Sequence, residues 1–201
     1  MPAIFSTAYF PPIRYFSEIN KSDSILIESH ENYNRQSYRN RCNILSSNGT
    51  LTLSIPVIKG KTIKEKITDV KIDYSTSWQR QHIYAIVSAY GKSPFFTYYS
   101  DQIIELIQKK NENLFEYNYF ILSALLEMIQ VKKNVSFSSS FQKELNEIVD
   151  YRNLINPKRR GYISSNQKQY IQTFSDRFNF IPDLSILDLI FNTGPDAKNY
   201  L

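Results

Sequence analysis

The stretch AIFSTAYFPPIRYFSEINKSDSILIESH, residues 3–30, decides the fold class. Ala3 to Phe10 is an apolar run of β-formers that stops at Pro11-Pro12, and Ile13 to Ile19 has the spacing of a short helix. A second apolar run, Ile25 to Ile27, opens into the polar string Glu28 to Asn32. The order strand, helix, strand predicts parallel pairing of the two strands, because a helical crossover brings the second strand back in the same direction.

The rest of the chain predicts a hairpin and then a series of helices. Apolar side chains alternate with Thr and Ser over residues 51–57, and Asn48-Gly49 in front of them is typical of a two-residue hairpin turn. Beyond Ser77 the apolar spacing becomes helical, with helices expected at about 78–90, 93–110, 114–130, 142–154 and 184–192, and strands at 68–72 and 135–141.

These elements predict the α/β class. We expect a mixed sheet with an initial parallel strand-helix-strand unit, a β-hairpin, and a helical middle segment that covers the sheet. A chain of 201 residues with 42% hydrophobic residues buries enough surface for one domain, which we expect to span residues 1–201.

The net charge of +5 is concentrated in one segment. Between Arg35 and Lys66 the chain has seven basic residues and one acidic residue, Glu65. Such a patch attracts anions, whether phosphate esters, nucleic acid or lipid headgroups, although a solvated lysine-rich face is an equally good interpretation.

The residue counts exclude several classes of protein. One cysteine, Cys42, and two histidines, His30 and His82, cannot build a disulfide framework or a Cys and His zinc site, so we expect neither a metal nor a cofactor. No apolar stretch approaches the roughly 20 residues needed to span a bilayer, and the first ten residues lack the features of a secretory signal. We therefore expect a cytoplasmic protein without a transmembrane segment.

Three groups of side chains are candidates for binding and acid-base chemistry. Arg39 and Arg41 alternate to one side of an extended segment, and two guanidinium groups there suit a diphosphate or a carboxylate; a charged edge strand is the alternative. His82 lies on the apolar face of its helix with Trp78 one turn earlier, which fits either a general base beside a stacking ring or a buried structural histidine. Glu28 and His30 share one side of the second strand and are able to converge on one ligand.

Three more candidates lie elsewhere in the chain, two of them in its last third. Asp188 interrupts an apolar helix with Asn192 one turn later, and a buried carboxylate needs a partner, for which Arg152 or the cations of the following loop are expected. That loop, residues 156–169, contains Lys158-Arg159-Arg160, which we interpret as a lid over a phosphorylated ligand. Cys42 has no acid-base partner nearby in sequence and is a weak candidate nucleophile.

Several local strings, taken in order, resemble the WbqC-like family of bacterial proteins, which is associated with O-antigen and other surface-polysaccharide gene sets. The strings are Tyr9-Phe10-Pro11-Pro12 with Tyr15-Phe16, Tyr38-Arg39-Asn40-Arg41, Leu51 to Pro56, Trp78 with His82, Tyr90 with Pro94-Phe95-Phe96, and Leu184 to Asn192 before Gly194-Pro195. Many family members have Gly-Tyr-Phe after the prolines, whereas this chain has Arg14-Tyr15-Phe16. This departure indicates a different substrate if the opening loop contacts it.

The resemblance implies a cytoplasmic group transferase in sugar or glycan assembly, with acylation of an amino sugar carried on a nucleotide or a lipid as one such reaction. We assign His82, His30 and Asp188 as catalytic candidates and Lys158, Arg159 and Arg160 as phosphate-binding candidates. The substrate-binding candidates are Tyr9, Asn32, Arg39, Arg41, Trp78, Tyr90 and Asn192.

Two other functions stay open from the sequence. A nucleotidyltransferase of the Rossmann-like type shares the opening strand, proline loop and helix, but the HxGH-like signature is absent. A non-enzymatic module that binds RNA or another anion through the basic patch is the other, although nucleic acid is not the partner we expect, because no RNA-binding motif is present.

Overall fold

The computed structural model describes residues 1–58, 64–158 and 167–201. Its first elements are β1 (Ala3–Ser6), α1 (Ile13–Lys21) and β2 (Ile25–Glu28), and the two strands pair in parallel as predicted. Ala3 lies opposite Ile25, and the first three residues of β1 are all buried, which is typical of a parallel strand covered on both faces.

Helix α1 is defined by its two ends. Pro12 precedes it in extended conformation, and the proline ring fixes the angle at which the chain enters the helix. At the other end the Ser22 backbone amide donates to the carbonyls of Glu18 and Ile19. Ile13, Phe16 and Ile19 are buried, so the apolar face of this short helix covers the sheet.

The main sheet has four parallel strands in the order β5, β2, β1, β6, where β5 is Val135–Phe137 and β6 is Val149–Asp150. The chain extends the sheet from β1 through β2 to β5 and then returns to the opposite side of β1 to add β6. The strand order therefore reverses between β1 and β6, and ligands of open α/β sheets bind beyond the carboxyl ends of the strands at such a point.

A separate antiparallel hairpin consists of β3 (Arg41–Ser46) and β4 (Gly49–Ser54). The prediction of a hairpin is confirmed, but its turn lies one residue earlier than expected. Ser46 pairs with Gly49, so Ser47 and Asn48 form the turn, and of the turn residues and their flanking pair Gly49 alone has a positive φ, 97°. Gly49 tolerates that φ because it lacks a Cβ atom.

Four further α-helices complete the described parts of the chain. Helices α2 (Trp78–Tyr90), α3 (Phe96–Gln108) and α4 (Leu114–Met128) form the predicted helical middle, and α5 (Ile186–Thr193) packs against α1, α3 and β3. A 3₁₀ helix follows at Gly194–Tyr200.

Two predicted elements are wrong. Residues 68–72 do not form a strand of a sheet; a 3₁₀ turn at Ile67–Asp69 is followed by isolated bridges from Lys71 and Ile72. Residues 142–154 do not form a helix; they contain β6, because the Val149 amide donates to the Pro2 carbonyl and the Tyr151 amide to the Ile4 carbonyl. Pairing with β1, far away in sequence, therefore overrides the local helical spacing.

Candidate functional site

A cluster of ionised side chains lies where the parallel strands end. Ser6 is the last residue of β1, Glu28 is the last residue of β2, and Asp150 is the last residue of β6. Two arginines from the loops that follow, Arg39 and Arg152, pair with carboxylates there. We call Ser6, Glu28, Glu31, Arg39, Asp150 and Arg152 the carboxyl-edge cluster.

The first half of the cluster is built on Glu31 and Arg39, which are both buried. The Arg39 guanidinium makes a two-pronged contact with the Glu31 carboxylate, with Nε donating to Oε1 over 2.8 Å and Nη2 donating to Oε2. Arg39 Nη2 also donates to Ser6 Oγ over 2.8 Å, and Ser6 Oγ donates to Glu31 Oε2 over 3.0 Å. The Ser6 hydroxyl is thus held between a cation and a carboxylate, an arrangement that polarises it.

The second half is built on Glu28 and Arg152, whose side chains are 0% and 4% exposed. Arg152 Nη1 donates to Glu28 Oε2 over 2.7 Å, while Nε and Nη2 hold both oxygens of Asp150 at 3.0 and 2.8 Å. The other Glu28 oxygen accepts from Ser138 Oγ at 2.6 Å and from the His30 backbone amide at 2.8 Å. A buried charge needs such a full set of partners, and Glu28 has one.

Electrostatics distinguish the exposed member of the cluster. Three carboxylates face two guanidinium groups, so the cluster carries an excess negative charge. Partial burial acts to raise the pKa of Asp150, but the hydrogen bonds from Arg152 outweigh it and lower that pKa. The Asp150 side chain is 34% exposed and stays ionised at neutral pH, so it offers a carboxylate to a ligand from solvent.

Tyr9, Trp78 and His82, predicted to bind or react, come together in a buried aromatic cluster with Tyr117. The Tyr9 hydroxyl lies 2.9 Å from His82 Nδ1, and the rings of Trp78 and His82 are 5.2 Å apart. Burial lowers the pKa of His82 to about 4, and a hydrogen bond to the Ser54 backbone only partly opposes this. His82 is therefore neutral and enclosed, which is the arrangement of a structural histidine.

Asp188 and Asn192 of α5 lie beside Tyr90, the last residue of α2, in a second cluster. Asp188 Oδ2 accepts from the Tyr170 hydroxyl at 2.6 Å and from Gln172 Nε2 at 3.0 Å, and Asn192 Nδ2 donates to the Asp188 backbone carbonyl. Burial raises the pKa of Asp188 to about 6, although hydrogen bonds from Tyr170, Gln172 and Tyr90 oppose the rise.

The expected pair between Arg152 and Asp188 is wrong, while the alternative partners Arg159 and Arg160 lie outside the described residues. Arg152 pairs with Glu28 and Asp150 instead, and two neutral donors, the Tyr170 hydroxyl and the Gln172 amide, bind Asp188 Oδ2. These donors supply hydrogen bonds to Oδ2 without a second buried charge.

The paired arginines also differ from the expectation. Arg39 precedes β3, and its guanidinium is already paired with Glu31. Arg41 is the first residue of β3, and its buried Nε has no hydrogen-bond acceptor among the described residues. They do not form one two-guanidinium clamp. Of the other predicted residues, His30, Asn32 and Lys158 are exposed, while Arg159 and Arg160 lie outside the described residues.

Cys42 is buried, and its surroundings raise the pKa of the thiol, which makes it a poor nucleophile. Within residues 1–58, 64–158 and 167–201, no group of three or more His, Cys, Asp or Glu side chains is placed to hold a metal ion. In the same ranges no helix is long and apolar enough to cross a membrane.

A groove of about 1050 Å³ lies near the opposite, amino end of β5, lined by residues such as Tyr119, Lys133 and Lys198. Lys133 Nζ donates to the carbonyls of Asn20 and Ser22, so its charge already has partners. The groove shows no comparable convergence of side chains, and the carboxyl-edge cluster remains the better candidate site.

Sequence reasoning missed Ser6, Glu31 and Asp150 as site residues. The available signal was positional, because each of them ends a strand or lies in the polar string after one. The Glu31 string was identified, but β6 was assigned to a helix, and this error hid Asp150 and assigned Arg152 to the wrong partner.

Fold and geometry together define an α/β protein with a cluster of charged and polar side chains at the carboxyl edge of a parallel sheet. The model of the WbqC-like protein family matches residues 7–167, and the chain belongs to that family. It is also similar to the uncharacterized protein Rv1507c of Mycobacterium tuberculosis, with 25% identity over 99% of this chain and 96% of the relative. No solved structure matches significantly.

Proposed function

We propose that this protein is a group transferase that acts on a sugar carried on a nucleotide or a lipid, in the assembly of a bacterial surface polysaccharide. The observation that carries the proposal is the convergence of two buried arginine-carboxylate pairs, Glu31 with Arg39 and Glu28 with Arg152, at the reversal point of a parallel sheet. Membership of the WbqC-like family supports the same direction.

The charge of the carboxyl-edge cluster favours an amino sugar over a bare phosphate at this position. Its excess negative charge and the accessible Asp150 carboxylate attract an ammonium group, and carboxylates and arginines together supply acceptors and donors for sugar hydroxyls. A phosphate placed here would meet three carboxylates. We therefore assign Asp150 to the amine of the sugar.

His30 is the catalytic candidate best placed for acid-base chemistry. It is exposed two residues after β2, and its backbone amide donates to Glu28, so the residue lies at the border of the carboxyl-edge cluster. In acyl transfer from a thioester, the bound ammonium group first loses one proton to solvent, and the neutral amine nitrogen then forms a bond to the acyl carbon as the carbon-sulfur bond breaks. The proton from the amine passes to the His30 imidazole and then to the departing thiolate. We assign His82 and Asp188 to the folded framework rather than to this step.

The direct test is a thermal-shift panel at fixed salt with nucleotide sugars that have or lack a free amine, ATP, acyl-coenzyme A and a short RNA. A ligand at about 100 times its Kd adds about 2.7 kcal/mol, or roughly 5 to 10 °C for a chain of this size. We expect a shift with the amino sugars that Asp150→Asn abolishes.

Asp176→Asn is the matched control, since Asp176 also pairs with a neighbouring arginine but its side chain is 74% exposed. This variant is expected to retain the thermal shift with amino sugars. Incubation with amino sugar and acyl-coenzyme A, followed by mass spectrometry, tests the reaction. Absence of any amino-sugar shift, or a shift with RNA alone that disappears with salt, overturns the proposal in favour of the binding module.

A further inference from the structure

Arg14, in the first turn of α1, has unused hydrogen-bonding capacity. Its Nε and Nη2 atoms are buried and donate to no acceptor among the described residues. Arg14 forms an ion pair with Asp183, with Arg14 Nη2 at 3.7 Å from Asp183 Oδ2, which is too long for a hydrogen bond. Buried guanidinium donors without acceptors are rare in folded proteins, because water has been removed and nothing replaces it.

A second orphaned donor lies around the same aspartate. The Asp183 backbone amide donates to Gln167 Oε1 over 2.8 Å, which fixes the orientation of the Gln167 amide. Gln167 Nε2 is then buried and has no acceptor within the described residues. Arg14 is fixed to Asp183 as well, through its own backbone amide, 3.4 Å from Asp183 Oδ1. Two side chains anchored on one residue thus leave three nitrogen donors unsatisfied.

The backbone at this place supports a functional interpretation. Asp183 has φ 56°, a left-handed conformation that costs free energy for a residue other than glycine. Burial lowers the pKa of Arg14 although the neighbouring Asp183 acts to raise it, so the guanidinium is held in a position with less solvent than its charge favours. A ligand that accepts hydrogen bonds relieves that cost.

We propose that Arg14 and Gln167 form a phosphate-binding subsite at the start of α1. The site offers three nitrogen donors beside a single carboxylate, Asp183, so its unused capacity suits oxygen acceptors better than cations or apolar groups. A carboxylate has two oxygens, which the arginine alone satisfies, whereas a terminal phosphate has three and also reaches Gln167 Nε2. The Tyr15 hydroxyl, on the residue after Arg14, donates to the Ser6 carbonyl at 3.0 Å, so the first turn of α1 contacts the carboxyl-edge cluster and the subsite is able to hold the phosphate of a carrier while the cluster holds the sugar.

The inference deepens the proposed function, because the carrier phosphate is its natural ligand, but phosphate binding is measurable without turnover. The probe is inorganic phosphate, titrated at constant ionic strength while the arginine Nε–Hε resonances are followed by NMR. We expect the Arg14 resonance, identified by its loss in Arg14→Lys, to move in a saturable way. The resonance of Arg80, an exposed helical arginine, serves as the internal control and stays in place.

Two variants test the donors separately. Arg14→Met is expected to weaken phosphate binding at least about tenfold, since it removes a charge-assisted pair of hydrogen bonds, whereas Arg80→Met binds normally. Gln167→Glu keeps the acceptor for the Asp183 amide but replaces the free donor with a negative oxygen, so it also weakens binding while the fold is kept. A backbone NMR spectrum of each variant checks folding.

The source of the phosphate is tested with a nucleoside diphosphate and with vesicles containing phosphatidic acid. Competition by either one against inorganic phosphate supports the subsite and identifies the carrier class. An Arg14 resonance that does not respond to phosphate, or acetate binding as tightly as phosphate, overturns the proposal. Amino-sugar binding that survives Arg14→Met leaves the proposed function intact, so the two failures are distinguishable.

Discussion

Arg152 donates to Glu28 over 2.7 Å and so joins the ends of β6 and β2 across 124 residues of chain. The two strands are not neighbours in the sheet, since β1 lies between them. The pair therefore spans the end of β1, where Ser6 accepts from Arg39, and it links the two halves of the sheet at the point where the strand order reverses.

Arg152→Met is expected to destabilise the protein by about 3 to 5 kcal/mol, because it leaves the Glu28 carboxylate buried without a counter-charge. Urea denaturation at neutral pH measures the change. In the double variant Glu28→Gln with Arg152→Met, the loss is smaller than the sum of the two single losses, because no unpaired charge remains.

Lys71→Met provides the comparison for this pair. Lys71 and Glu112 form an ion pair at 3.7 Å whose side chains are 63% and 86% exposed, and such pairs contribute about 0 to 1 kcal/mol. Equal losses in Arg152→Met and Lys71→Met would contradict the assignment of a buried, structurally essential pair.

His82 is expected to lower the stability of the folded state in acid. Its pKa falls from the ordinary 6.5 to about 4 on burial, so between those values the unfolded chain binds a proton that the folded chain does not. The stability contributed by the neutral ring is complete above pH 6.5 and is lost as the pH drops toward 4, by about 3 kcal/mol. Denaturation of the wild type and of His82→Gln at several pH values measures the difference.

His30→Gln is the control, since it replaces the exposed histidine and should keep the wild-type pH dependence. NMR of the His82 ring gives an independent measurement, with a neutral imidazole expected at pH 6. A ring that titrates near 6.5 would show that its contacts with Tyr9 and Trp78 do not exclude water.

The sequence was sufficient where structure depends on neighbours in the chain. The β1–α1–β2 unit, the hairpin and α5 all follow from apolar spacing and from Pro11, Pro12 and Gly194, which act locally. The prediction of a helix at 142–154 failed because the segment instead forms two backbone hydrogen bonds to β1. A local sequence pattern does not indicate a pairing partner so distant in the chain.

The site was less predictable for the same reason. That Glu28 and His30 follow β2 was visible in the sequence, but whether their side chains meet depends on what packs over them. The Glu28 side chain is buried and pairs with Arg152, whereas His30 is exposed to solvent. Asp188 accepts hydrogen bonds from the neutral side chains of Tyr170 and Gln172. These contacts depend on how the segment before α5 folds back onto the helix, which the sequence pattern does not indicate.

Asp188 is expected to produce a pH dependence opposite to that of His82. Burial raises its pKa from 3.8 to about 6, so the folded chain takes up a proton before the unfolded chain does, and stability increases as the pH falls from about 6 to 4. The gain is about 3 kcal/mol relative to Asp188→Asn, which cannot ionise. Carboxyl carbon NMR follows the titration directly, and Asp176→Asn, at an exposed position, should leave it unchanged.

Alanine substitutions at Gly194 and Gly49 distinguish backbone strain from steric overlap, the two ways in which an added side chain destabilises the protein at these positions. Both have positive φ, 55° and 97°, so alanine strains the backbone at either position by about 1 to 2 kcal/mol. At Gly49 a Cβ atom meets nothing within 4 Å, whereas at Gly194 it would lie 2.4 Å from the Phe95 ring. Overpacking adds about 1 to 3 kcal/mol, so Gly194→Ala should destabilise clearly more than Gly49→Ala in urea denaturation. Adding Phe95→Leu to Gly194→Ala should recover part of that excess, and equal losses for the two alanine variants would mean that Phe95 moves aside without cost.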